Sequence, residues 1–327
     1  MTVNLGVIGL GNISQRHRNN LKLSYPDANV LAMSASGRTP NSKVENADKI
    51  ISNLKMLIDE KPLFTIIASP ATLHSSHAAP LIEAGIPVLI EKPLTASTAD
   101  ALDLLAIAKL HKTPIAVGYC LRYLSSAPII KQLIEDNTIG TLYNVSTNIG
   151  QFLPDWRPSK DYKESVSANA RLGGGALLEL SHEIDYLQWI LGDLDFHYAY
   201  LRNSPELQLE VEELADIFLI SKNGCVCNIH LDFLQKQAQR KCSFIGSTGR
   251  LDWDLINNTI TLHTHEGDKT LFSQPEWDKN NMYLDMLEDF NSLIHNKKNK
   301  CPTLMQAYKT ILLINEIKER ATLGGTL

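Results

Sequence analysis

The sequence predicts a protein in two parts, an α/β domain with a doubly wound parallel sheet and then an α+β domain on a largely antiparallel open sheet. Three observations carry this expectation. Short apolar runs alternate with helix-length amphipathic segments over residues 1–118, a glycine pair follows the first run, and two-residue alternation takes over after Gly118. The runs lie at 5–8, 30–33, 64–68, 88–90 and 115–117. They lack polar alternation, so their strands are expected to be buried on both faces by helices. Helices are expected between them, among others over 75–84 and 98–109, the latter capped by Ser97 or Thr98. Beyond Gly118 a helix at Ala127–Glu135 stops near Gly140, a strand covers 142–149, and a polar, aromatic loop fills 151–172. One strong helix follows, with Leu177, Leu180, Ile184, Leu187 and Leu191 as its apolar stripe. In 225–233 the residues Cys225, Cys227, Ile229, Leu231 and Phe233 share one apolar face, and Val226, Asn228, His230 and Asp232 the more polar one. Two further helices, over 278–295 and 303–320, close the chain, and the domains are expected at 1–118 and 119–327.

Composition narrows the function by exclusion. The 327 residues suit two domains with a core each, and 31 Lys+Arg against 36 Asp+Glu give a net charge of −5 without any dense basic block. A nucleic-acid footprint is therefore missing, and Lys297, Lys298 and Lys300 suit a solvated helix end. No apolar stretch is long enough to span a membrane, and the N-terminus lacks the basic and apolar regions of a signal peptide, so a cytoplasmic location is expected. Five cysteines are sparse and odd in number, which suits reduced thiols. Cys225-x-Cys227 and His263-x-His265 lack partner motifs, so no metal is expected; His230 and Asp232 suit a satisfied sheet pair.

Gly9-Leu-Gly11-Asn12-Ile13-Ser14 joins the first strand to a helix. Gly9 permits the tight turn, Gly11 lets a pyrophosphate approach the backbone, and the helix N-terminus with Asn12 and Ile13 favours the anion. The third small position of the pattern is Ser14 rather than glycine, which still allows close helix–strand packing, so a dinucleotide site is expected here. NAD-selective sites place a carboxylate after the second strand for the ribose 2′-hydroxyl. Here the chain has Met33-Ser34-Ala-Ser36-Gly-Arg38, and the next acid is Glu45. Hydroxyls and a guanidinium suit a 2′-phosphate, so NADP(H) is favoured over NAD(H).

Two further stretches carry chemistry. Glu91-Lys92-Pro93 ends a strand, on the side where open α/β sheets bind ligands. The Lys92 ammonium can stabilise a developing alkoxide or, deprotonated, accept its proton. In the helix after Gly173-Gly174-Gly175, the residues Glu179, His182 and Asp185 recur every three positions and are expected on one face. The histidine suits proton exchange, and the glycines suit close approach to a ligand.

The spaced set Gly9-x-Gly11-x-x-Ser14-x-x-His17, Ser69-Pro70-Ala-Thr-Leu-His74, Glu91-Lys92-Pro93, Arg122-Tyr123 and Gly173-Gly-Gly…His182-x-x-Asp185 resembles the glucose–fructose oxidoreductase/inositol dehydrogenase (Gfo/Idh/MocA) family over nearly the whole chain. The resemblance implies NAD(P)-dependent hydride transfer to or from a sugar, polyol or nucleotide-activated sugar. Lys92 and His182 would then be catalytic and Arg122, Tyr123 and Asp185 near substrate, while Ser69, Pro70, His74, Glu91 and Lys92 itself would join the cofactor site. One departure stands out: the family's aspartate four residues before the histidine is Leu178 here, and Glu179 is the candidate substitute. In the loop, Trp156 and Tyr162 could stack on a sugar, and Arg157 or Lys160 could pair with an anion. The alternatives are a glycosidase running a transient redox cycle on bound NAD, which the family includes, and a non-catalytic nucleotide-binding regulator. The Lys92/His182 pair argues against the regulator. The apolar face of the alternating strands is expected to bury against a second subunit in a homodimer or homotetramer.

Overall fold

The computed structural model describes residues 2–156, 158 and 161–325. The chain forms two compact units, Met1–Tyr119 with Tyr283–Ile311, and Cys120–Met282 with Leu312–Leu327.

The first unit alternates β1 (Asn4–Ile8), α1 (Asn12–Ser24), β2 (Asn29–Met33), β3 (Lys49–Ile51), α2 (Leu54–Asp59), β4 (Thr65–Ile67), α3 (His74–Glu83), β5 (Val88–Glu91), α4 (Thr98–His111) and β6 (Ile115–Gly118). All six strands are parallel, in the order β3-β2-β1-β4-β5-β6, which reverses direction between β1 and β4. That reversal leaves a crevice outside the carboxyl ends of the strands, where ligands bind in such sheets. The apolar runs are buried as expected: Leu5, Val7, Ile8, Val30, Ile66, Ile67, Val88 and Ile90 are fully enclosed. Ser97 caps α4 by accepting from the Asp100 amide. Strand β3 escapes the sequence pattern because it has three residues, at the sheet edge, amid polar neighbours. The returning segment joins this unit through Phe290, which meets Phe64 edge-on at 5.5 Å, and through Pro302, whose carbonyl accepts from Val117.

The second unit contains α5 (Ala127–Glu135), β7 (Leu142–Gly150), α6 (Ala176–Glu179), α7 (His182–Leu191), β8 (Leu194–Arg202), β9 (Leu214–Ser221), β10 (Val226–Asp232), β11 (Gln239–Gly246), β12 (Arg250–Asp254), β13 (Thr259–Thr264), β14 (Gly267–Ser273) and β15 (Thr322–Gly324). α8 (Asn281–Ile294) and α9 (Leu304–Arg320) complete the chain. Nine strands form one mixed sheet in the order β14-β13-β12-β11-β7-β10-β9-β8-β15, antiparallel except for β10 with β7 and β15 with β8.

Two expectations are corrected here. The single helix after the glycines is two, α6 and α7, separated at Leu180–Ser181, so Glu179 does not share a continuous helical face with His182 and Asp185. The apolar sheet face is not free for a second subunit, because Cys227, Ile229, Leu231 and Phe244 are already buried within the chain. Tyr186 of α7 packs edge-on against Trp253 and hydrogen-bonds Thr147 at 2.5 Å, and Glu183 of α7 pairs with Arg240. The opposite face is half-exposed. There His230 donates to Asp216 at 2.6 Å and Asp232 at 2.8 Å. The Asp232 bond leads in raising its imidazole to about 9. All five cysteines are buried, and none is in a disulfide. No described helix is long and apolar enough to cross a membrane.

Candidate active site

The glycine turn is tightly packed at Gly9 and open at Gly11. Gly9 sits at φ +118°, and a Cβ there would lie 2.4 Å from the Ala68 carbonyl and 2.5 Å from the Ser14 hydroxyl. Ser14 itself donates to Ala68 at 3.1 Å, closing α1 onto β4. Gly11 differs: a Cβ would meet nothing within 4 Å, and its ordinary backbone (φ −79°, ψ −174°) any residue could adopt. No side chain caps the start of α1, so the free space beside Gly11 faces an uncapped helix end that also carries Asn12 and Ile13. Gly11→Ala is therefore expected to leave the unfolding midpoint unchanged while weakening dinucleotide binding by about tenfold or more, about 1.4 kcal/mol. Calorimetric titration beside thermal melts checks both halves.

At the end of β2 the three residues singled out for a 2′-phosphate lie together. The Ser34 and Ser36 hydroxyls are 3.2 Å apart, and Arg38 Nε donates to Ser36 Oγ at 2.9 Å. Gly37, at φ +71°, makes the turn that folds Arg38 back. The next acid, Glu45, accepts from Gln15 of α1 at 2.5 Å. His77 of α3 braces the neighbouring loop, with Nδ1 at 3.0 Å from Ser69 Oγ.

At the end of β5, Glu91 is buried and its carboxylate accepts from His17 of α1 at 2.6 Å and from the Lys92 amide at 3.1 Å. Burial would raise the Glu91 carboxyl, but the His17 bond and the charges of His17 and Lys92 hold it below its ordinary value. A Cβ on Gly118 would come within 3.2 Å of Glu91, so β6 presses against it as well. Glu91 thus anchors the half-buried Lys92 from beneath, and His17, quoted only as part of a motif, is its partner. The Lys92–Pro93 bond is cis. His74 is buried between the loops after β4 and β5, 2.8 Å from the Ser69 carbonyl and 2.9 Å from that of Pro93. Pro70 begins the short turn leading into α3.

In the second unit, His182 opens α7 and is 8% exposed. Asp185, one turn on, receives Arg122 as a fork, at 2.9 Å from Nε and 2.7 Å from Nη2. Both members are buried; burial raises the Asp185 carboxyl and the Arg122 charge pulls it back. Tyr123 is buried beside Arg122, whose guanidinium lies over the Trp189 ring. Sequence reasoning missed Glu183, which accepts two bonds from Arg240, at 2.7 and 2.8 Å. Glu179 is half-buried at the end of α6.

Gly174 and Gly175 approach protein rather than an open ligand space. A Cβ on Gly174 would lie 2.5 Å from the Val166 carbonyl, and one on Gly175 would lie 2.3 Å from Glu212. Glu212, also missed, accepts from the Leu177 amide and so caps α6. In the preceding loop Trp156 stands edge-on to Phe233 at 5.4 Å and, with Leu153, Tyr162 and Val166, lines a cavity of 240 Å³. Arg157 and Lys160 lie outside the described residues. No cluster of three or more His, Cys, Asp or Glu placed to hold a metal occurs among the described residues.

Comparison with known proteins gives two matches along the chain. Residues 3–119 match the oxidoreductase family with an NAD-binding Rossmann fold, and residues 129–252 the GFO/IDH/MocA C-terminal domain. Inositol 2-dehydrogenase 1 of Saccharopolyspora erythraea is 32% identical over 274 residues, covering 80% of this chain and 76% of that protein. Glucose-6-phosphate 3-dehydrogenase of Bacillus subtilis is 26% identical over 234 residues, covering 69% of this chain and 66% of that protein. Among solved structures, a levoglucosan dehydrogenase in complex with NADH and L-sorbose shares the fold at a TM-score of 0.82 and 17% identity, covering 97% of this chain and 96% of that one.

Proposed function

We propose the following from one premise: the chain belongs to the Gfo/Idh/MocA family of oxidoreductases. It is an NAD(P)-dependent oxidoreductase acting on CH–OH groups of the sugar and polyol type. The finer reading is a dehydrogenase or reductase of a sugar, polyol or nucleotide-activated sugar that prefers NADP(H). In it the first unit serves the cofactor, and the second serves substrate and assembly.

The observation that supports a dinucleotide is the open space at Gly11 before an uncapped helix, and the one that supports NADP(H) is the Ser34–Ser36–Arg38 group with no carboxylate in it. Gly9, Gly11, Asn12 and Ile13 would hold the pyrophosphate, and Ser69 and Pro70 the neighbouring stretch. When bound, the dinucleotide supplies the hydride donor or acceptor. Hydrogen bonds to a charged group contribute about 1.5–3 kcal/mol each, so NADPH is expected to bind about tenfold to a hundredfold tighter than NADH. The pair Ser36→Asp and Arg38→Ala is expected to reverse that order. Equal or tighter binding of NADH by the unaltered chain overturns the preference.

In the oxidative direction His182 takes the proton of the reacting hydroxyl, and the Lys92 ammonium steadies the oxygen as it gains charge. In reduction the histidine returns the proton to that oxygen. Glu91 with His17 fixes the backbone of Lys92. The Arg122–Asp185 fork holds the first turn of α7, and Tyr123 packs beside it. Both are assigned to shaping the substrate side, with Trp156 as a stacking surface and Glu179 setting the field around His182. Arg157 is kept as a candidate for an anionic substituent.

The partner for assembly is a second copy of the chain, on the half-exposed face of the nine-stranded sheet. Tyr198 and Ile245, 52% and 42% exposed, stand on that face and support this choice. A dimer or tetramer is expected by light scattering, and substituting both with lysine is expected to yield monomers. A monomeric unaltered chain refutes it.

A further inference from the structure

We infer that His74 is a doubly protonated, positively charged positioning residue that locks the Lys92 loop to the Ser69 loop. Its ring is 1% exposed at the start of α3. Nε2 lies 2.8 Å from the Ser69 carbonyl, while Nδ1 lies 2.9 Å from the Pro93 carbonyl and 3.2 Å from that of Leu94. A carbonyl oxygen accepts and never donates. A neutral imidazole carries one N–H, so either tautomer would turn a bare nitrogen lone pair onto a carbonyl oxygen at hydrogen-bond distance. Only the imidazolium satisfies both sides.

Burial is the largest influence and holds the imidazole below its ordinary value, although the three carbonyls and the nearby Glu91 charge push it up. The imidazolium charge follows from the carbonyls that face both ring nitrogens. The charged groups around it belong to the same small cluster. Glu91 is held ionised, His17 donates to it, Lys92 follows it in sequence, and His77 lies one turn along α3. His74 therefore serves as a buried cation near Glu91.

The lock matters for position. Ser69 ends the loop after β4, and Pro93 directly follows Lys92, so one ring bridges the two strand ends at the crevice. This role rests on Lys92 acting at the reacting oxygen. A displacement of about 1 Å at such a group can cost about a hundredfold in rate. His74→Asn keeps a short amide donor but no longer spans the carbonyls on both sides, so the bridge is lost.

Two measurements test this. In the intact protein, nitrogen NMR of labelled histidine is expected to show both His74 nitrogens protonated at neutral pH. A single bare nitrogen overturns the charge assignment whatever Lys92 does. His74→Asn is expected to lower kcat by about tenfold to a hundredfold with KM within about threefold. In the Lys92→Ala background the same change is expected to add less than about threefold, because His74 acts through Lys92. An undiminished loss there overturns the positioning role. If Lys92→Ala alone costs nothing, the functional assignment fails while the NMR result still judges the charge.

Discussion

Lys92→Ala is expected to lower kcat by about 10²–10⁴-fold while the affinity for NADP(H) changes little. The Lys92 side chain is half-buried, and its backbone amide donates to the buried Glu91 carboxylate. The loss should therefore appear in kcat and leave the melting curve nearly unmoved. Arginine is not expected to restore full activity, because a planar guanidinium presents its donors as a fork rather than a point charge. His182→Asn is expected to cost a similar factor, since amide nitrogen cannot exchange the proton. Steady-state kinetics with parallel cofactor titrations checks both variants. Near-full turnover in either removes that residue from the chemistry.

Arg122→Ala carries the largest expected loss of stability, about 3–5 kcal/mol. The fork onto Asp185 is nearly closed to solvent, with the two side chains 5% and 1% exposed. Removing the guanidinium leaves a buried carboxylate without its cation, and the carboxyl pKa, already raised by burial, rises further. The sign follows from linkage: a carboxyl whose folded pKa is raised costs nothing below its unfolded value. The deficit should widen as pH climbs above about 4 and level off above the raised folded pKa. Replacing both partners, Arg122→Met with Asp185→Leu, is expected to recover most of the stability, because both desolvation costs vanish together. Because Asp185 sits one turn from His182, the double variant should be stable yet slow. Urea unfolding across pH, with kcat for the double variant, checks both parts. A pH-independent deficit contradicts the buried-charge account.

Much of the first unit was legible because its strands are covered on both faces, which leaves continuous apolar runs in the sequence. β3 was not, since Lys49–Ile51 is three residues at an edge. The cluster proposed for a 2′-phosphate was visible as a missing acid after Met33, and in the fold Ser34 lies within hydrogen-bond reach of Ser36, and Ser36 of Arg38. The break between α6 and α7 was hidden because Leu180 and Ser181 suit a helix as well as a bend. The partners of Glu183 and Asp185 lie 57 and 63 residues away, and no periodicity encodes such pairs. The glycines before α6 were visible, but sequence cannot say what approaches them. In the fold it is the Val166 carbonyl and Glu212.

The measurement that bears most directly on the proposed activity is a panel of free sugars, polyols and nucleotide-linked sugars, scanned with NADP(H) for change in nicotinamide absorbance. At least one compound is expected to be oxidised or reduced with one nicotinamide converted per turnover, and Lys92→Ala should abolish most of that signal. Cleavage of a glycoside with no net absorbance change would contradict the account in favour of a transient redox cycle, and cofactor binding without any turnover across the panel would contradict it outright.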